Sequence, residues 1–257
     1  MNASYEKLRA DLAAIGIGQG DTLVVHSSMK SMGFVEGGTA CVIAALRDAI
    51  GDEGTLLLPT FTYRTSYVDS YYSNLDTASC VGLLTEDFRK TAGVVRTNHP
   101  THSVAVCGKL TADLIKDEAL DDTPMGEHSP YRRLAAFGAK ILMLGCPLTH
   151  NSFMHALEEA ANAPYALREH QTYTVVDENG AKSTRRIKRH HFNRSDGAIL
   201  QRYDRVLDVL SPCEYQTATV HGANAVLFDS ALLQTRVLQK MKEDPFYFID
   251  DPNGYYK

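Results

Sequence analysis

Residues 141–159 read ILMLGCPLTHNSFMHALEE. Four apolar residues, Ile141 to Leu144, broken by Gly145 and Pro147, carry the pattern of a buried strand that ends in a turn. Asn151 and Ser152 then offer side-chain oxygens to cap a helix that stops before Pro164. The same order recurs upstream. Thr22 to Val25 is a short apolar strand, and a helix bearing Val42, Ile43, Leu46 and Ile50 starts from a cap at Thr39. Gly51 to Gly54 turns the chain into a second buried strand, Thr55 to Pro59. Strand and helix in alternation predict an α/β fold: a central, mainly parallel sheet with helices on both faces.

Outside that core the pattern changes. Gln171 to Val176 and Ser183 to Lys188 alternate polar and apolar residues around Asp177-Glu178-Asn179-Gly180, and Asn-Gly is the strongest short hairpin signal. A β-hairpin added at about 171–190 is expected. Thr60 to Ser79, rich in tyrosine and without a clean period, reads as a long loop forming a pocket wall or a dimer contact. Val81 to Thr91, Ala198 to Leu210 and Ser230 to Met241 read as helices. No repeat or linker divides the chain, so residues 1–257 are expected to form one domain with the hairpin as an insertion.

The 44% hydrophobic content over 257 residues supports a sizeable core. Five cysteines, an odd number without CxxC spacing, indicate neither a disulfide framework nor a zinc ribbon. His99 and His102 bracket a proline on an extended segment with no third ligand nearby, so no metal is expected. No apolar run has the length of a membrane span or the form of a signal peptide, and a cytoplasmic monomer or homodimer without membrane contact is expected. A net charge of -5 argues mildly against nucleic acid and suits a cationic substrate.

Four stretches carry possible chemistry. The long loop from His26 to Gly38, between a strand and a helix, reads equally as an anion-binding loop and as plain surface. Asp121, Asp122 and Glu127 form either a face for a polycation or a solvated turn. Arg185 to His191 is locally basic, a charged guard on a strand edge or a phosphate contact. His155 falls in the first turn of the capped helix, three residues after Ser152 and beside amides that lack intrahelical partners. A proton acceptor next to free amide donors suits acyl transfer. The bland alternative is a partly buried histidine among ordinary caps.

Taken together, these runs resemble the aminoglycoside 3-N-acetyltransferase family from about residue 4 to 241. The likeness is carried by VVHSSMKSMGFVEGG (24–38), HPTHSVAVCG (99–108), TPMGEHSPYRRL (123–134), LGCPLTHNSFMHALEE (144–159) and the tail VHGANAVLFDSALL (220–233). The resemblance implies an α/β fold distinct from that of the GNAT acetyltransferases, and use of acetyl-coenzyme A (acetyl-CoA). It implies direct acetyl transfer to a small-molecule amine, most simply the 3-amino group of a polycationic aminoglycoside antibiotic.

The family's helix-start pattern falls on Asn151, Ser152, His155 and Glu158, with Ser152 where threonine is usual; both residue types donate through a hydroxyl. By resemblance His155 is the base that accepts the amine proton, and Ser152 is its partner at the oxyanion. His26 contacts the reacting groups. Glu158 is counted among the catalytic residues, and a later acidic residue completes the set, for which Asp196 is chosen over Asp204 and Asp208. The same resemblance assigns the cofactor to Ser27, Ser28, Met29, Lys30, Gly33, Phe34, Val35, Gly37, Gly38 and Ser103. Three alternatives stay open: a covalent enzyme using Cys146 or Ser152, a degenerate coenzyme A binding protein, and the same chemistry on another amine.

Overall fold

The computed structural model describes residues 2–190, 199–252 and 254. Helix α1 (Ala3–Ala14) leads to strand β1 (Thr22–Ser27), the single turn α2 (Met29–Met32), helix α3 (Gly38–Ile50) and strand β2 (Thr55–Pro59). Then come α4 (Tyr63–Asp69), β3 (Tyr71–Ser73), α5 (Leu83–Phe88), β4 (Val95–Arg96) and β5 (Val104–Gly108). α6 (Thr111–Ile115), α7 (Pro130–Arg133), β6 (Lys140–Leu144) and α8 (Phe153–Ala160) follow. The strands β7 (Leu167–Val176) and β8 (Lys182–His190) precede β9 (Leu200–Gln201), α9 (Val206–Val209), β10 (Tyr215–Val220), β11 (Ala223–Asp229), α10 (Ser230–Glu243) and β12 (Ile249–Asp250).

The central sheet runs in the order β10-β11-β6-β1-β2-β5-β4. Its three middle strands β6, β1 and β2 are parallel. β11 and β5 lie antiparallel to both neighbours, so the other five of the seven strands share one direction. The inner strands β1, β2, β5 and β6 are buried on both faces, and the two-residue period of a strand deals their side chains to two cores. Val24, Leu57, Val106, Ile141 and Met143 meet Leu157 of α8 and Leu233 and Val237 of α10. Leu23, Val25, Leu56, Leu58 and Leu142 meet Leu8 of α1 and Val42 and Leu46 of α3. Each such aliphatic side chain, taken wholly out of water, contributes about 1.5–3 kcal/mol to the fold.

The hairpin is longer than its turn signal suggested, and it stands outside the central sheet. β8 pairs with β7, which pairs in parallel with β3. Thus the stretch Thr60 to Ser79, expected as loop, supplies α4 and the third strand of this small sheet. Three helix expectations shrink or shift for local reasons. α5 starts at Leu83 because Gly82 has φ 136°, outside the helical region. α3 starts at Gly38 after a left-handed Gly37, and the Thr39 hydroxyl, instead of capping it, donates to Asp87 at 2.6 Å. Of the helix expected over Ala198 to Leu210, the described part, 199–210, is α-helical only at Val206–Val209: β9 pairs with β12, and Arg202 bridges Asp204 and Asp250. Among the described residues no helix is long and apolar enough to cross a membrane.

Two features of this layout place a site. The chain leaves β1 for β2 on one side and returns as β6 on the other, and such a reversal opens a crevice at the carboxyl ends of the two parallel strands. At the end of β6, Gly145 has φ 71°, and a Cβ there would stand 2.7 Å from Ser31 Cβ and 2.9 Å from Ala223 Cβ. Only a residue without a side chain lets the β6 exit pack between the β1 exit loop and β11. Gly145→Ala should cost about 2 kcal/mol or more, from left-handed strain of ~1–2 kcal/mol plus the clash. Denaturant unfolding checks this; a variant as stable as the parent would mean that the turn relaxes freely.

Candidate active site

The crevice at the ends of β1 and β6 is an open cleft of about 580 Å³, lined by Ser27 to Ser31, Val81 to Leu84, Gly145 to Pro147 and His150. Its floor is built by α2, whose N-cap Ser28 accepts from Ser31 N–H and whose hydroxyl also meets Ser31 Oγ at 3.0 Å. Hydroxyls at Ser27, Ser28 and Ser31, the Lys30 ammonium and the apolar wall of Val81, Leu83 and Leu84 suit a ligand that is partly anionic and partly apolar. Coenzyme A, with phosphates and a pantetheine arm, has that character, and Ser27, Ser28, Met29 and Lys30 would hold it.

The remaining members of the cofactor set lie elsewhere. Val35 is core, and Phe34 is 87% exposed. The Glu36-Gly37 corner is clamped by α1, with Asn2 Nδ2 donating to Glu36 O at 2.8 Å and Glu36 N–H to Ser4 Oγ at 3.0 Å. Gly33, Gly37 and Gly38 serve this corner and do not line the cleft. Ser103 is corrected to a structural role: it is wholly buried, donates to Thr60 O, and accepts from the buried Arg96 Nε at 3.2 Å.

On the α8 side of the sheet the ring of His155 is fixed by a hydrogen-bond network. Its Nδ1 lies 3.1 Å from Glu158 Oε2 and 3.0 Å from Tyr203 Oη. Tyr203 donates to Glu158 Oε2 at 2.7 Å, and Tyr165 donates to Oε1 at 3.2 Å. Burial, with Glu158 beside them, holds both phenols above their ordinary range, so they remain donors. Since Glu158 is an acceptor throughout, the ring proton belongs on Nδ1. That leaves the Nε2 lone pair facing the Gln201 amide at 3.3 Å.

A second acid-histidine couple adjoins the first. Glu159 Oε1 meets His190 Nε2 at 2.7 Å and accepts from Met125 N–H at 2.9 Å, while burial raises Glu159 to about 7. The His190 ring lies 4.6 Å from that of His155 and 4.7 Å from that of His102, and His99 is 5.9 Å beyond His102. Sequence reading missed Glu159, His190, Tyr203 and Gln201 as site residues. Only the HPTH run hinted at His99 and His102. Among the described residues no group of three or more His, Cys, Asp or Glu side chains is arranged to hold a metal.

Several expectations need correction. The amides at the start of α8 are engaged: Phe153 N–H donates to Asn151 Oδ1 at 3.1 Å, Met154 N–H to Asn151 O and His155 N–H to Ser152 O. Ser152 makes no capping bond; it is buried beside Tyr131. Asp204 is ion-paired with Arg202, and Asp208 is exposed, so neither supports His155. Asp196 lies outside the described residues. Asp121 closes a turn by accepting His128 N–H, and Asp122 faces His170 at 3.2 Å. Arg185 binds the carbonyls of Glu118 and Asp121, and Arg189 lies over the Tyr67 ring. The Cys146 thiol lines the cleft, but burial pushes it up to about 12, which disfavours the thiolate that a covalent route needs.

Burial pulls His26 down to about 3 and His99, His102 and His190 well below the usual imidazole range. Below about pH 6.5 the unfolded chain protonates these four rings and the native state does not, so stability falls as pH falls, by ~1.4 kcal/mol per unit for each ring. Glu159 runs the other way, since its raised value favours the fold at low pH and is lost as pH rises toward 7. Glu118 and Asp121, also raised by burial, oppose the rings in the same way, so the net slope is smaller than four rings alone would give. Melting temperature should drop steeply from pH 6.5 to 5 and less steeply for His102→Gln. A flat profile would contradict four buried neutral rings.

Comparison with known proteins accords with this geometry. A family model described as aminoglycoside 3-N-acetyltransferase matches residues 24–242. The chain is 35% identical over 212 residues to aminoglycoside N(3)-acetyltransferase VII of Streptomyces paromomycinus, covering 75% of this chain and 72% of that protein. It is 35% identical over 178 residues to aminoglycoside N(3)-acetyltransferase VIII of Streptomyces fradiae, covering 62% of this chain and 61%, under two thirds, of that one. The solved binary of AAC-IIIb with CoASH superposes with TM-score 0.78 at 25% identity, over 94% of this chain and 97% of the other.

Proposed function

The chain belongs to the aminoglycoside 3-N-acetyltransferase family and is an acyltransferase of that class; from this premise we propose direct transfer of acetyl from acetyl-CoA to the 3-amino group of an aminoglycoside, with His155 as general base. The observation that carries the base assignment is the pinned ring. Glu158 and Tyr203 hold Nδ1, which orients the ring and directs Nε2 toward Gln201, whose amide lies at 3.3 Å; this fixed orientation supports Nε2 as the proton acceptor.

Acetyl-CoA supplies an activated acyl group. The amine nitrogen forms its bond to the carbonyl carbon, the carbon–sulfur bond breaks, and the thiolate that leaves takes up a proton. His155 Nε2 removes the proton that the amine must lose. Glu158, which accepts hydrogen bonds and stays wholly buried, stabilises the cationic ring that results. Ser152, which precedes His155 by one helical turn and lies beside Tyr131, is kept as a hydroxyl donor near the reacting group.

His155→Ala should lower kcat by 100-fold or more, in line with the ~10²–10⁴ expected of a general base. His155→Ala with near-normal turnover would remove it from the mechanism. Thiol release from acetyl-CoA should be fast with kanamycin-type or gentamicin-type acceptors. Turnover confined to simple amines would keep the chemistry and reject the acceptor. In hydrogen exchange, coenzyme A should protect the amides of residues 27–31; unchanged exchange there would reject the cleft as its site.

A further inference from the structure

We propose that Asn151 and His26 hold the carbonyl oxygen of the acetyl thioester, so that two side-chain N–H groups, and not the amides of α8, take up the charge of the reaction. This rests on the acetyl-CoA reading above. Both side chains are inside the protein, 1% and 4% exposed, and among the described residues Asn151 Nδ2 and His26 Nε2 have no hydrogen-bond partner. A buried polar group left unpaired costs about 1–3 kcal/mol, so each calls for a ligand that satisfies it.

Their positions converge. Val24 faces the α8 core, so His26, two residues on along β1, faces it as well. Its ring stacks on Tyr131 at 6.4 Å, and Tyr131 lies beside Ser152, the neighbour of Asn151. The charges of His150 and His155, which bracket Asn151 in sequence, both act on His26. Each member of the pair is also one residue inward from a residue of the cleft wall, His26 from Ser27 and Asn151 from His150. The pair therefore stands between the cleft and the base.

The chemistry fits an acyl carbonyl. Asn151 Oδ1 is already used by Phe153 N–H, which turns the Nδ2 donor the other way. His26, held at about 3, stays neutral at working pH, and a neutral imidazole donates a hydrogen bond without competing for the amine's proton. As the carbon–nitrogen bond forms, negative charge gathers on the carbonyl oxygen; as the carbon–sulfur bond breaks, it returns to the double bond. Donors fixed in place before the reaction stabilise that passage most effectively.

The test reads the carbonyl itself. The ¹³C resonance of [1-¹³C]acetyl-CoA should move on binding the parent protein, and most of that movement should vanish in Asn151→Asp and His26→Phe. Turnover should fall by about 10²-fold in each, with KM for acetyl-CoA changed only a few-fold, and His26→Gln should recover part of it. Asn151→Asp keeps the oxygen that caps Phe153. A purely structural Asn151 would leave both the resonance and kcat unchanged and overturn the proposal. A shift that persists in both variants would assign the two N–H groups to buried water, and also overturn it. A full shift without transfer to any aminoglycoside would reject the acceptor but leave this inference standing, whereas failure of acetyl-CoA to bind would overturn both.

Discussion

A carboxyl group with no access to solvent must find its hydrogen bonds inside the protein, and the region around α8 depends on how Glu158 does so. Tyr203 and Tyr165 each give it a hydroxyl, and His155 gives it the Nδ1 proton. These partners come from the strand-poor segment after β9, from the turn after α8, and from α8 itself. Satisfying one buried acid therefore fixes three chain segments relative to one another. It also fixes the orientation of the His155 ring, so structural necessity and the placement of that imidazole share one set of bonds.

The surroundings of the His155 ring are built to hold little charge of their own. Burial keeps His26, His99, His102 and His190 neutral, and each also opposes a positive charge on its neighbours. Glu158 and Glu159 stand under the ring pair His155 and His190 as compensating acids. Among these rings His155, with a side chain 14% exposed, is the one set one helical turn before the wholly buried Glu158.

Much of the scaffold is legible in the sequence because it rests on local rules. The apolar run Ile141 to Leu144, the breakers Gly145 and Pro147, and the Asn-Gly at 179–180 each act within a few residues. The His155-Glu158 contact is readable too, as a pair one helical turn apart. Other features are not readable this way. A buried strand shows no direction in its composition, so the reversal of β5 and β11 had no signal. The engaged amides of α8 depend on the way Asn151 and Ser152 fold, not on which residue types they are. His190 sits at the end of a run of arginines and lysines that looks like a solvated edge, yet its ring is inside, since β8 crosses from the surface into the site.

The same contrast explains why the cofactor set divides where it does. The run from residue 24 to 38 reads as one loop, but only its first part, Ser27 to Ser31, turns toward the crevice. After α2 the chain turns away through Gly33 and packs Val35 into the core, and Asn2 and Ser4 hold the next corner against α1. A corner held from behind keeps α2 from drifting when a ligand pushes on the cleft floor. Groups held in place before a ligand arrives lower a barrier more than groups that must first be reorganised. The residues beyond Ser31 therefore act by supporting the loop that floors the cleft, and a likeness in sequence there reflects a shared scaffold as much as shared contacts.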